Sequence, residues 1–243
     1  MIVLIITAVR VKSMDSHRIS GRILAENIAG PGMLRLVEQS MQARIRKASV
    51  AEIAVKERKY PQAALTFDDG PDSRYTPLLL DGLKERNVRV SFFLLGEKVE
   101  QYPELVERMQ KEGHLVGNHT YHHVQLNKLN ETKAREEILK TNNLIYEATG
   151  VYPLYLRPPF GAWKKNLELC VEMLPVFWTI DTLDWKVQNT EKIVRTVQEQ
   201  IEDGAIILMH DEYDTSVEAA LQVVDELKNQ GYELVTVDQL ILP

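Results

Sequence analysis

Residues 63–71 read Ala-Ala-Leu-Thr-Phe-Asp-Asp-Gly-Pro, an apolar run that ends in two acids and a Gly-Pro turn. The run 63–67 predicts a short buried strand that stops at the acids. Two adjacent carboxylates at a strand end repel each other unless a cation lies close to both. The stretch therefore predicts a strand of a buried sheet and a cation site at its carboxyl end.

After Tyr60 the chain alternates apolar runs with helical patterns. Seven runs are predicted as strands: 63–67, 90–95, 114–116, 154–156, 176–180, 205–209 and 233–235. Six helices are predicted: 76–86, 103–112, 131–149, 165–173, 191–201 and 216–229. Asn130 and Asn189 stand at predicted N-caps, and Gly150 and Gly231 stand near helix ends. This alternation predicts an α/β fold of parallel βα units, either an open doubly wound sheet or a closed barrel.

Polar residues follow the predicted strands at the point where each strand ends. They are Asp68 and Asp69, Asn118 and His119, Arg157, Asp181, and His210. In α/β barrels the carboxyl ends of the strands collect the catalytic groups. We therefore expect these residues to converge at one face.

A divalent metal site is predicted from His119, His123 and one of the two acids. The two histidines are four residues apart, so on a helical turn they would lie on one face. Two imidazoles and a carboxylate can bind a metal and leave positions open for water and substrate. His122 competes as a ligand by sequence, but its offset should point it elsewhere. The second acid would then be free to act as a general base.

Two further segments suggest catalytic groups. His210 is a candidate general acid, because imidazole titrates near neutral pH. The stiff loop 157–161 reads Arg-Pro-Pro-Phe-Gly, and the next free backbone N–H after its prolines is that of Phe160, a candidate oxyanion donor. Trp185 follows near the same rim and could stack on a sugar ring or belong to the core.

The composition limits the class of protein. A chain of 243 residues with net charge −6 fits one α/β domain and argues against a nucleic-acid partner. The single cysteine, Cys170, excludes an internal disulfide and is predicted as a buried apolar residue. Residues 1–57 form an N-terminal extension that could be a linker, a stalk or a cap. Its apolar start, residues 1–9, could be the stub of an export or anchor segment, the one route to membrane contact, or an ordinary strand.

From residue 58 to 243 the chain resembles the polysaccharide deacetylase family, the NodB homology group of carbohydrate esterase family 4. Five motifs appear in the family's order, at 66–71, 119–123, 157–161, 181–185 and 208–210. Phe160 stands where many members have Tyr. The resemblance implies a distorted (β/α)7-type barrel as the fold of residues 58–243.

The resemblance also assigns the metal ligands and the base. It implies that Asp69, His119 and His123 bind the metal, which would be Zn²⁺, with Co²⁺ or another divalent ion as alternatives. It implies that Asp68 is the catalytic base and that Arg157 orients it.

The remaining motifs imply the acid and the substrate contacts. His210 would be the general acid, and Asp181 would tune it. The Phe160 N–H would hold the oxyanion, Trp185 would line the substrate groove, and Leu208 would lie near the acetyl methyl.

The implied reaction is hydrolysis of an acetamide by metal-activated water, which releases acetate. The implied substrate is a polymer containing N-acetylglucosamine, either peptidoglycan or chitooligosaccharide, and residues 181–186 look most like the peptidoglycan branch. De-O-acetylation of xylan by the same machinery is an alternative, and an inactive carbohydrate-binding homologue is another. A polymer substrate favours the cell envelope or the extracellular space, with the cytoplasm as the alternative.

Overall fold

The computed structural model describes residues 59–163 and 173–241. Four sequence predictions lie outside these residues: the N-terminal extension and its division from the rest of the chain at residue 57, the possible anchor stub at residues 1–9, the burial of Cys170, and nearly all of the predicted helix 165–173. Within the described residues, no helix has both the length and the apolar character needed to cross a membrane.

The described residues form one parallel sheet of eight strands. The strands are β1 Gln62–Asp68, β2 Ser91–Leu94, β3 Leu115–Asn118, β4 Tyr155–Leu156, β5 Leu174–Pro175, β6 Ile180–Asp181, β7 Ala205–His210 and β8 Glu233–Leu234. Seven of them run in the order β5-β4-β3-β2-β1-β7-β6, and β8 pairs with the first two residues of β1. Apart from β1 and β7, neighbouring strands in this order are consecutive in the chain, as in a βα barrel in which the first strand pairs with a late one. The structure thus confirms the distorted βα barrel.

The gap between β5 and β6 is where the barrel fails to close completely. The predicted strand 176–180 is wrong, because the chain there leaves one edge of the sheet and joins the other. Val176 N–H donates to the Leu156 carbonyl of β4 (2.8 Å), and Thr179 N–H donates to the Ile206 carbonyl of β7 (2.9 Å). Four residues reach at most about 17 Å between flanking strands, so the sheet must curl until its two edges approach each other.

The sheet is buried on both faces, as parallel sheets are. Ala63, Leu65 and Phe67 of β1 pack in the outer core between sheet and helices, whereas Ala64 packs inside the barrel. Because side chains alternate along a strand, Thr66 and Asp68 face inward with Ala64. The polar motif therefore opens into the barrel.

Eight α-helices follow or flank the strands in the described residues. They are α1 Tyr75–Glu85, α2 Gly96–Gln101, α3 Pro103–Lys111, α4 Glu131–Thr149, α5 Asp184–Val187, α6 Thr190–Gln200, α7 Asp214–Asn229 and α8 Val237–Ile241, with the short α2 and α3 separated only by Tyr102. Two 3₁₀ helices, Leu126–Lys128 and Pro159–Gly161, also occur in these residues. The predicted N-caps are confirmed, because the side chains of Asn130 and Asn189 accept from Lys133 N–H and Lys192 N–H. The short helices α2, α5 and α8 were not predicted, since four to six residues carry too little periodicity.

The helix α8 covers one end of the barrel. Val237 belongs to the inner apolar cluster, and its N–H donates to Ser91 Oγ at the start of β2 (3.0 Å). The carboxyl ends of the strands lie at the opposite end. The polar residues of the motifs lie at this opposite end, which α8 does not cover.

Candidate active site

Asp68 and His210 lie side by side at the carboxyl end of the barrel. Asp68 ends β1 and His210 ends β7, and the parallel register places them opposite each other. Thr66 and Leu208 form the preceding pair on the same face. Neighbouring strands lie about 4.8 Å apart, so this register brings together a carboxylate and an imidazole that are far apart in sequence.

Arg157 holds the carboxylate of Asp68 from inside the barrel. Its Nη1 donates to Asp68 Oδ1 (2.8 Å) and to Thr66 Oγ1 (2.6 Å). The Arg157 side chain is fully buried, with its guanidinium 4.3 Å from the Phe93 ring centroid and 5.7 Å from that of Trp178. Burial raises the pKa of Asp68 above its ordinary value, and the charge of Arg157 opposes this rise. The structure thus provides a buried carboxylate whose orientation is fixed by a guanidinium.

Asp69 points away from Asp68, toward the histidines. Its backbone has a positive φ of 69°, so the chain turns sharply after the last strand residue. Asp69 Oδ1 lies 3.4 Å from His119 Nε2 and 3.4 Å from His123 Nε2. The two adjacent carboxylates therefore diverge, one to Arg157 and the other to the imidazoles.

The three donor atoms of Asp69, His119 and His123 fit a divalent metal. All lie within 4.8 Å of one another. Ligands at 2.0–2.1 Å from a tetrahedral ion are about 3.3–3.4 Å apart, which matches the two distances from Asp69 Oδ1. That oxygen is buried and has no hydrogen-bond partner among the described residues, so a cation would supply what it lacks.

The protonation of His119 also suits metal binding. Burial lowers the pKa of His119 to about 3, so its imidazole is neutral at neutral pH. Its Nδ1 lies 2.6 Å from the Arg157 carbonyl and donates to it, which leaves the Nε2 lone pair facing Asp69. His122 points elsewhere, as expected, because its Nδ1 pairs with Glu137 Oε1 at 2.8 Å.

His210 is paired with Asp184 and not with Asp181, the acid to which the resemblance assigns the tuning of His210. Asp184 Oδ1 lies 2.8 Å from His210 Nδ1, while its Oδ2 accepts from His210 N–H (2.8 Å) and Ser216 Oγ (2.7 Å). Asp181 instead accepts from the nearby Leu183 N–H (3.0 Å). Leu183 adopts a left-handed conformation with φ 51°, and this turn starts α5 with Asp184 fully buried against β7.

The partner of His210 changes its protonation. Burial alone lowers the pKa of His210, but the hydrogen bond and the charge of Asp184 outweigh this effect and raise the pKa to about 9. Because His210 Nδ1 faces Asp184, its Nε2 points toward the candidate metal ligands and lies 3.9 Å from Asp69 Oδ2. A protonated imidazole can donate a proton there.

The other residues named from the sequence lie around this cluster or on exposed surface. Phe160 is 63% exposed, has a positive φ of 60°, and packs its ring against that of His123 with centroids 4.6 Å apart. Leu208 is buried on the inner face beside Thr66. Trp185 is 49% exposed and follows Asp184 directly, so it does not belong to the core.

Sequence reasoning missed four residues that shape the site. Asp184 lies inside a quoted motif, but two acids three residues apart cannot be told apart without the turn between them. Thr66 lies two residues before Asp68 on the same strand, so their side chains point to the same face, and this spacing could have identified Thr66. Phe93 and Trp178 gave no signal, because their contact with Arg157 depends on tertiary packing.

Comparison with known proteins gives consistent similarities. The family model described as polysaccharide deacetylase matches residues 56–177. Peptidoglycan-N-acetylglucosamine deacetylase PgdA of Listeria monocytogenes is 42% identical over 185 residues, which are 76% of this chain and 40% of that protein. Peptidoglycan-N-acetylmuramic acid deacetylase PdaC of Bacillus subtilis is 43% identical over 177 residues, 73% of this chain and 38% of that protein. The chain thus spans about two fifths of the length of these relatives.

Solved structures of related proteins are also similar to this chain. The structure of Bacillus subtilis PdaC superimposes with a TM-score of 0.73 at 42% identity, and covers 75% of this chain and 91% of that one. A Bacillus anthracis pseudoenzyme of the CE4 family superimposes with a TM-score of 0.71 at 29% identity, and covers 75% of this chain and 66% of that one. Because this fold also occurs in a pseudoenzyme, the fold alone does not indicate activity. The residues of the site are needed for a functional assignment.

Proposed function

The chain belongs to the polysaccharide deacetylase family, and we propose that it is a metal-dependent hydrolase that removes N-acetyl groups from N-acetylglucosamine residues of a polysaccharide. The observation that carries this proposal is the placement of a base and an acid next to one metal-ligand cluster. Asp68 Oδ2 lies 3.7 Å from His119 Nε2, and His210 Nε2 lies 3.9 Å from Asp69 Oδ2. A reacting acetamide placed at this cluster would contact both groups.

The ligands in this proposal are Asp69, His119 and His123, and Zn²⁺ is the ion that we assign to them. A divalent metal held there would lower the pKa of a bound water and polarise a carbonyl oxygen. Asp68 takes the proton of the attacking water, and Arg157 keeps its carboxylate oriented for this step. His210 gives its Nε2 proton to the nitrogen as the C–N bond breaks, so the products are a free amine and acetate.

The rim residues complete the proposed substrate contacts. We assign the Phe160 N–H as a hydrogen-bond donor to the oxyanion that forms during the reaction. Phe160 has a positive φ, a strained conformation of the kind that recurs at functional sites. Trp185 is exposed beside Asp184 and suits stacking on a sugar ring. Leu208 lies two residues before His210 on the same inward face, where it can contact the acetyl methyl.

The proposed substrate is the glycan of peptidoglycan or chitooligosaccharide. The name of the Listeria relative specifies N-acetylglucosamine, whereas that of the Bacillus subtilis relative specifies N-acetylmuramic acid, so the latter sugar is the second candidate. An inactive binding role is disfavoured, because the base, the three ligands and the acid are all present and close together. A peptidoglycan substrate would place the protein at the cell envelope.

A substrate panel tests this proposal. Purified protein is incubated with peptidoglycan glycan strands, chitooligosaccharide and acetylxylan, and the products are identified by mass spectrometry. We expect loss of acetyl groups from glucosamine units, with His210→Ala as the inactive control. Acetate release from acetylxylan alone would favour the O-acetyl esterase alternative. Release from muramic acid alone would favour the second sugar, and no release from any glycan would favour a binding role.

Replacement of Asp184 tests the pairing of the acid. Asp184→Asn is expected to lower kcat/KM about 10²-fold, because an amide cannot accept all three of the hydrogen bonds that the carboxylate accepts from His210 and Ser216. Asp181→Asn is the matched control and should change the rate little, since within the described residues the Asp181 side chain accepts a hydrogen bond only from the nearby Leu183 N–H. Steady-state kinetics with parallel zinc analysis would decide, and a large loss in Asp181→Asn alone would contradict the assignment.

A further inference from the structure

The segment between the two histidine ligands has an unusual backbone. Thr120 and His123 both have positive φ, 66° and 54°. For residues with a side chain this conformation is strained and persists only where the surroundings enforce it. Something outside the segment must therefore hold it.

Glu137 of α4 holds the segment through three hydrogen bonds. Its Oε2 accepts from Tyr121 N–H (3.0 Å) and from His122 N–H (2.9 Å), and its Oε1 pairs with His122 Nδ1 (2.8 Å). The Glu137 side chain is only 15% exposed. One carboxylate thus satisfies the two consecutive amides that lie midway between the ligands, and it also holds the imidazole that could compete for the metal.

The opposite side of the segment is held by α2. Gly96 N–H donates to the Thr120 carbonyl (2.9 Å), and Glu97 N–H donates to the Tyr121 carbonyl (3.3 Å). The carbonyls of Thr120 and Tyr121 therefore bond to one helix, while the amides of Tyr121 and His122 bond to a side chain of another. Loss of Glu137 would remove one side of this support and leave the other intact.

The two ligands depend on this support to different degrees. His119 is buried and has its own ring hydrogen bond to the Arg157 carbonyl (2.6 Å). The His123 side chain is 30% exposed and, within the described part of the chain, its Nδ1 makes no hydrogen bond. Besides ring contacts with Phe160 and His119, the position of His123 therefore depends on the backbone that Glu137 holds.

We propose that Glu137 is a positioning residue of the metal site, which presents His123 to the ion and keeps His122 away from it. This inference rests on the metal site of the proposed function. Carboxylates and carbonyls that orient metal ligands typically contribute 10- to 100-fold to metal affinity. Glu137 acts on the ligand through the backbone and not through the imidazole ring of His123.

Zinc affinity of the full chain tests the proposal. Affinity is measured by competition with a chromogenic chelator for the wild type, Glu137→Ala, Glu137→Gln and the control Glu136→Ala, which changes the exposed neighbour. Glu137→Ala is expected to bind zinc about 10- to 100-fold more weakly, and Glu136→Ala as tightly as the wild type. Glu137→Gln should recover part of the affinity, because its remaining oxygen can still accept from the two amides.

A second readout uses metal-free protein. Amide hydrogen exchange at Tyr121 and His122 should be faster in Glu137→Ala than in the wild type, while the midpoint of global unfolding changes little. Equal zinc affinity in wild type and Glu137→Ala would overturn the role of Glu137 alone. A wild type that takes up no zinc would overturn the metal site and the proposed function with it.

Discussion

Treatment with a chelator is expected to lower acetate release by at least about 10³-fold, because polarisation of the carbonyl by a metal is worth several kcal/mol. The structural reason is the buried Asp69 Oδ1, which lies 3.4 Å from two imidazole nitrogens and lacks a hydrogen-bond partner in the described residues. Added Zn²⁺ or Co²⁺ should restore the rate. The measurement is acetate release with the metal content of the protein determined in parallel.

The control for this experiment is the same chelator saturated with zinc beforehand, which should leave the rate unchanged. Full activity in protein shown to contain no metal would contradict the mechanism. It would also leave Asp69 Oδ1 without the cation that its surroundings indicate.

Asp68→Asn is expected to lower kcat about 10³- to 10⁴-fold while the protein still binds zinc. The amide has the same shape, and its oxygen can still accept from Arg157 Nη1, but it cannot take a proton from water. Kinetics and zinc content are measured on the same preparation. The expected result is an inactive protein with the zinc content of the wild type.

Asp69→Asn is the matched variant, since it makes the same change one residue later. It should lose zinc affinity, because a neutral amide replaces the charged ligand that faces both His119 and His123. If Asp68→Asn lost the metal and Asp69→Asn kept it, the two acids would have been assigned the wrong way round.

Much of the fold could be predicted because buried parallel strands are locally encoded. The apolar runs that became β1 and β7 were placed within one residue of their observed starts. Helix α4 was predicted with the exact bounds Glu131–Thr149, since an Asn cap and a Gly end mark it. The break between β5 and β6 could not be predicted, because it depends on which distant edge each half of the segment reaches.

The residue types of the candidate site and their order along the chain are properties of the sequence alone. Acids and histidines follow buried strands, and the carboxyl ends of parallel strands must meet at one end of a barrel. The roles of neighbouring acids are not encoded locally. A positive φ at Asp69 turns it toward the histidines, and one at Leu183 brings Asp184, not Asp181, to His210. Glu137 reaches its segment only because α4 packs there. The tertiary structure decided these pairings, because a side chain's partner depends on backbone turns and packing between segments that are distant in the chain.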